Sequence, residues 1–446
     1  MASATSAAFT AAARETGVPS TGAAGWSECS RECVVVMAYI QSQSAAARTF
    51  PRRSVIIALA SLAAAFAVVL SGHSSGFLQR FELAFSDFRT AWFSDRITTD
   101  HPDIVIVSVG DNVTRTQATF DRRTIDVDRA QLARLIDAID DSAPRAIGFD
   151  IPLAGAGDPA KDQALQRALR ESKARVVIGL RSSSTESNVE RRAWLNRYIT
   201  GTGRPVGHIT TIYDEGLTRA VRVDSGEKAI GPIPDSFALL VSRALRPETR
   251  AEFGNIAWLQ KVSDSGILAR YVNLGSQQPF RTLLAEDLID NTRPLPTRQL
   301  AGRLVLVTSG LAEIERHRTP LTAWSGEALA PIQIQAQAIA QMLDRRGISE
   351  ISSRTLRLAL FTLACIAGLV GWYRGPGWHI PATLLTLGII IALDAMAFAW
   401  RDLALPLVPA LIVWLLGEIA GRSLRHILNW ELRNGLPWPI EASRKD

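Results

Sequence analysis

Four polar residues stand where apolar runs end. Asp111 follows Ile104-Val105-Ile106-Val107-Ser108-Val109-Gly110, and Asp150 closes Arg145-Ala146-Ile147-Gly148-Phe149-Asp150. Both runs are short and apolar, and Pro or Gly punctuates their ends, the pattern of a buried strand. Ligands of open α/β sheets bind beyond the carboxyl ends of the strands. The two carboxylates are therefore placed to hold a cation or a ligand amine; the plain alternative is that they cap turns. His317 and Thr319 come after the apolar run Arg303–Thr308 and could reach the same rim. Histidine there would sense pH, its unperturbed pKa being about 6.5; the plain alternative is a surface-loop side chain. These four are the candidate ligand-binding residues.

Nothing nearby suits covalent or metal chemistry. The six histidines (73, 101, 208, 317, 379, 426) show no metal-ligand spacing. Cys29 and Cys33 have no matching second pair. Gly72-His73-Ser74-Ser75-Gly76 fits the nucleophile-elbow pattern, but it leaves an apolar helix where that motif needs a strand. The reading expects no catalytic residue, no metal and no cofactor.

The elements that must position these residues alternate. An apolar strand at 103–109 precedes a helix at 128–140 with Asp128 as N-cap. A strand at 145–150, a helix at 159–172 and a strand at 174–180 follow. Strand–helix–strand at these lengths implies parallel pairing. Farther on, the pattern predicts a hairpin around Asp214-Glu215-Gly216, a helix at 236–245, a strand at 266–273, a short helix at 282–289, a strand at 303–308 and a helix at 331–345.

Around this domain lie membrane-length runs. Ser54–Gly72 carries no charge and is long enough to span as one helix; a cleaved signal peptide, or a twin-arginine signal at Arg52-Arg53, is the competing reading. Arg48, Arg52 and Arg53 before it place its start in the cytoplasm. Leu356–Trp372, Ile380–Trp400 and Leu403–Ala420 are three more spans, with Trp372, Tyr373, Trp378 and Trp400 at their ends. The expected architecture is an extracytoplasmic α/β domain with a mostly parallel sheet, plus about four transmembrane α-helices, one before it and three after. Its divisions are a disordered cytoplasmic tail at 1–53, a span at 54–72, the outer domain at 73–354, three spans at 355–421 and a short cytoplasmic tail at 422–446. The tail is too short for an output domain. The net charge of +6 comes with no Lys/Arg block interleaved with aromatics, so no nucleic-acid partner is expected. Asp394 and Glu418 are acids inside apolar runs, costly there and candidates for function. Gly417-Glu418-Ile419-Ala420-Gly421 is a GxxxG that would suit a homodimer.

The pieces Asp87-Phe88-Arg89, Ile104–Asp111, Ala146–Asp150, Gly302–Val307, His317-Arg318-Thr319-Pro320 and Ile334–Ile339, in this order and with this membrane layout, resemble the type-two CHASE domain. That family is the extracellular sensory domain of bacterial cyclases and histidine kinases, and the resemblance covers roughly Arg80 to Arg345. Here Glu315 stands for the commoner Asp before the His-x-Thr-Pro stretch, and Gln335 stands where a histidine is frequent. The resemblance implies a multi-pass protein of the bacterial inner membrane that binds an unknown ligand on its periplasmic side. With no output domain expected in the chain, a separate cytoplasmic kinase or cyclase would read the signal. An extracytoplasmic hydrolase using Asp111, Asp150 and His317, or a non-catalytic scaffold, is the alternative.

Overall fold

The computed structural model describes most of residues 52–434. Positions 1–51 and 435–446 lie outside the description, as do several single positions and the internal segments 72–76, 98–99, 111–113, 116–125, 181–188, 223–232, 250–265, 268–270, 274–278, 291–296, 310–315, 323–325, 347–348 and 374–378. The chain divides into two compact units. One is Phe66–Leu363 with Gly375–Val413; the other holds the described part of Met1–Ala65 with Ala364–Arg374 and Trp414–Asp446.

The larger unit is built on six parallel strands. They are β1 (Ile104–Val109), β2 (Ala146–Asp150), β3 (Arg175–Leu180), β4 (Val206–His208), β7 (Arg281–Leu284) and β8 (Leu304–Ser309), in the order β7-β1-β8-β2-β3-β4. A short antiparallel hairpin, β5 (Thr211–Asp214) and β6 (Leu217–Arg222), stands beside it. The central strands are apolar at nearly every position because both faces are covered. On one face Val105, Val107, Ile147, Phe149, Val305 and Val307 pack under α3 (Arg129–Asp141), α4 (Pro159–Glu171), α5 (Val189–Thr200) and α7 (Ala285–Ile289). On the other, Ile104, Ile106, Ala146, Val177, Leu304 and Leu306 pack under α6 (Phe237–Leu245) and α8 (Pro331–Leu343). The result is a three-layer α/β sandwich, as the alternation predicts.

Local signals explain the helix starts and turns. Asp128 caps α3 by accepting from the Ala130 N–H, and Asp158 caps α4 just before Pro159. Asp140, near the end of α3, accepts from the Ser172 hydroxyl and from the Lys173 and Ala174 N–H groups at 2.7–3.0 Å, and so ties the α4–β3 turn in place. Arg129 pairs with buried Asp162 and lies 5.0 Å over the Trp194 ring, joining α3, α4 and α5. Gly207 passes so close to the start of α6 that a side chain there would strike the Phe237 backbone.

Three segments differ from the sequence pattern. The stretch 282–289 reads as one helix, yet Arg281–Leu284 forms edge strand β7, paired in register with Val105–Ser108, and only 285–289 is helical. Pairing energy supplied by a distant strand outweighs local periodicity there. Residues 266–273, expected as one strand, contribute two short ones to different partners. Leu403–Ala404, expected inside the last span, pairs with Ser349–Glu350 as a short strand instead.

Among the described residues four helices are long and apolar enough to cross a membrane: α1 (Arg52–Ser71), α9 (Ser353–Tyr373), α10 (His379–Arg401) and α11 (Leu407–Asn434). In the smaller unit, the Ser54 hydroxyl meets His426 Nδ1 at 3.2 Å and the Arg425 guanidinium donates to the Trp372 carbonyl. Glu418 is buried and paired with Arg422 one turn on. Gly417 and Gly421 are used within the chain. A methyl on Gly421 would collide with the Gly368 carbonyl oxygen, and one on Gly417 would lie 2.7 Å from that of Ala364. The GxxxG read as a dimer motif therefore packs α11 on α9.

Candidate functional site

The carboxyl ends of the central strands carry one transverse row of residues. Thr308 of β8 is the register partner of both Ser108 on β1 and Asp150 on β2, and Gly179 of β3 is that of Gly207 on β4; Asp150 and Gly179 each come one residue after the last β2–β3 pair, Phe149 with Ile178. One step earlier on the same face the row is Ile106, Leu306, Gly148 and Val177, part of the apolar core beneath α6 and α8. The face thus turns from apolar to polar at its last step. Asp150 and Thr308 are buried there, 8% and 4% exposed, while Ser108 is half-buried. A Cβ at Gly179 would lie 3.4 Å from Asp150 Oδ1 and 2.9 Å from Ile209, so the glycine makes room beside the carboxylate. Gln335, near the start of α8, reaches the same corner. Its amide donates to the Ile209 carbonyl at 3.2 Å, and its Oε1 is buried without a hydrogen-bond partner. Beyond this row β8 leads on to α8 on one face, whereas β1 and β2 lead to α3 and α4 on the other. Such a switch point opens a crevice where ligands of α/β sheets bind.

The predicted residues separate. Asp150 lies in the row. Asp111 lies outside the described residues, one position beyond Gly110; a Cβ on Gly110 would meet the Glu286 carboxylate at 2.6 Å. His317 is half-buried and bridged antiparallel to Leu329, its N–H donating to the Leu329 carbonyl and its carbonyl accepting in return. Thr319 is fully buried; its N–H donates to the Thr322 hydroxyl at 2.9 Å, and the neighbouring Arg318 carbonyl accepts from the β6 Thr218 N–H. Among the described residues no hydrogen bond joins His317 or Thr319 to the row. Ser108 and Thr308 were not anticipated. Their signal was a hydroxyl residue breaking each apolar run at the second-to-last step, in Val107-Ser108-Val109-Gly110 and Val307-Thr308-Ser309-Gly310. Among the described residues no group of three or more His, Cys, Asp or Glu side chains gathers as a metal site. Two hydroxyls, a carboxylate and an amide form a set whose chemistry is hydrogen bonding and charge.

A family model, the CHASE2 domain, matches residues 61–372, well over half of the 446 residues. The chain belongs to the CHASE2 domain family. No curated protein and no solved structure matches. The match confirms the resemblance read from the ordered pieces, and CHASE2 domains are extracellular sensory domains.

This CHASE2 domain holds a second constellation, on α2 (Phe77–Trp92), which carries the Asp87-Phe88-Arg89 piece. Asp87 accepts both forks of Arg219 on β6, each at 2.9 Å. Arg89 donates to Asp394 of α10 at 2.6 Å and to the Leu405 carbonyl at 3.2 Å, and its guanidinium lies 4.9 Å over Phe398. Both side chains of the Arg89–Asp394 pair are under a tenth exposed. Glu82 accepts from the Leu407 and Val408 N–H groups, the free donors of the first turn of α11. Burial pushes the Glu82 carboxyl up from the ordinary range, opposed by those two donors and by the Arg89 charge. Below the domain, Arg346 pairs with Asp402 at the α10–α11 turn. One helix therefore bonds the sheet domain's hairpin on one side and two membrane-length helices on the other.

Proposed function

We propose that this protein is a membrane-bound sensor whose α/β domain faces the extracytoplasmic side. In this reading a polar ligand binds at the Ser108–Thr308–Asp150 row, with Gln335 beside it, and a separate cytoplasmic partner, a kinase or cyclase, reads the response. The chain itself carries out no reaction. The carrying observation is α2. The Asp87–Arg219 and Arg89–Asp394 pairs give any shift of the hairpin a short, stiff path into α10, and Glu82 gives one into α11. The hairpin's β6 also holds the 317–319 segment through Thr218 and Arg318. A ligand moves such an assembly only if it binds one of two arrangements more tightly. Orientation is supported by the arginines before α1 and by the family's extracellular role.

Thermal-shift screening of the full chain in lipid nanodiscs against pools of small polar molecules tests the binding half. A compound that binds the folded state raises apparent stability, by about 2.7 kcal/mol at a hundredfold excess over Kd. That shift should vanish in Asp150→Ala and shrink in Thr308→Val. Reporter fusions at Ser184 and at the carboxyl end test orientation. A cytosolic signal from Ser184 would overturn the sensor as drawn.

A further inference from the structure

The helix α2 is built inside-out. Its buried side carries Glu82, Ser86, Arg89 and Thr90 beside the small or aliphatic Leu83 and Ala91, while Phe81, Phe85, Phe88 and Trp92 form a separate stripe, each 39–55% exposed. The spacing of 4, 3 and 4 residues holds the stripe to one narrow face. A helix on a water-soluble domain has the reverse arrangement. The stripe leaves roughly 350 Å² of aromatic surface uncovered, within the range of the largest patches that soluble monomers expose.

We propose that α2 lies along the membrane, with this aromatic stripe seated among the lipid acyl chains of the leaflet where α10 ends and α11 begins. The inference rests on reading α10 and α11 as membrane-crossing. Two observations select lipid over a second copy of the chain. First, α2 is held at membrane depth. Its Arg89 pairs with Asp394, seven residues before Arg401 ends α10 and so roughly 10 Å in from that end. It covers the Asp394–Phe398 face of α10, while Leu393 and Trp400 on other faces of the same helix remain exposed. Second, the stripe is too small for a stable protein partner by itself: a standard interface covers about 800 Å² on each side, more than twice what it offers. Aromatic side chains favour the headgroup–acyl boundary, and Glu82, Asp87 and Arg89, charges that such a depth would punish, are turned away from the stripe and matched, while Arg80 near the start of the helix is exposed.

Site-directed spin labelling of the full chain in phosphatidylcholine nanodiscs tests this, with Cys29, Cys33 and Cys365 replaced by serine. Labels are placed at Phe85→Cys, at Phe81→Cys as a second variant, and at Leu393→Cys on α10 as the membrane control. In support, collision with oxygen exceeds collision with a water-soluble nickel chelate several-fold at all three positions. Chelate-dominated collisions at 81 and 85, with oxygen dominant at 393, overturn the proposal and leave the membrane reading standing. Chelate dominance at all three removes both. Dipolar broadening at 85 that disappears on dilution with unlabelled protein makes the occupant a second copy and also overturns the proposal.

Discussion

Severing the fork between Asp87 and Arg219 should produce an asymmetric and strongly non-additive loss of stability. Both N–O distances are 2.9 Å, and the Arg219 side chain is 4% exposed against 15% for Asp87. At an effective dielectric of about 20, unit charges 4 Å apart attract by about 4 kcal/mol. Desolvating both ions takes back most of that, so the intact pair contributes little beyond an apolar pair of equal size. The cost of breaking it comes from the charge left behind. Asp87→Leu leaves the deeper guanidinium without its fork and should cost about 3–5 kcal/mol. Arg219→Met leaves the carboxylate closer to water and should cost less, about 2–3 kcal/mol. The double variant, an apolar pair in place of the ion pair, should recover most of the summed losses of about 5–8 kcal/mol. Chemical denaturation of the full chain in mild detergent, followed through tryptophan fluorescence, measures all four corners of the cycle. Additivity within about 0.5 kcal/mol, or a larger loss for Arg219→Met than for Asp87→Leu, would refute the argument that the stranded charge sets the cost.

Two further outcomes are expected. Gly421→Ala should destabilise the α9–α11 contact by about 1–3 kcal/mol, because the new methyl meets the Gly368 backbone, whereas Gly388→Ala, with open space around it, should hold or gain stability; equal melting temperatures for the two in detergent would count against the packing described. Asp140 is pushed up by burial, but its bonds from Lys173, Ser172 and Ala174 and the Lys173 charge more than offset that, so its folded pKa lies below the ordinary 3.8. Its contribution is therefore present above pH 3.8 and lost as pH falls through the folded value. Asp140→Asn should cost about 1–2 kcal/mol at neutral pH and show a shallower acid loss than wild type in denaturation series on either side of pH 3.8.

How much was legible depended on whether a signal was local. The run Ile104–Val109, the Asp128 cap and the uncharged stretch inside α1 each announce themselves within a few residues, because buried strands, helix starts and membrane spans are chosen by the chemistry of adjacent side chains. From these the parallel sheet, the membrane-length helices and the place of Asp150 at a strand end could be read, and the ordered pieces pointed to the CHASE2 family. Strand β7 could not, because Arg281–Leu284 becomes a strand only through the exposed edge of β1, far away in sequence.

The candidate site divides the same way. A carboxylate at the end of a strand is visible in sequence; that Ser108, Thr308 and Asp150 stand side by side depends on β8 inserting between β1 and β2, which strand order alone decides. Asp87, Arg89 and Asp394 were each noticeable, the last as a costly acid in an apolar run, but their partners lie 132 and 305 residues away. Periodicity can say which side of a helix is apolar. Only the packed structure shows that α2 turns Glu82 and Arg89 inward, since a buried ion is tolerated only where folding brings matching partners to it.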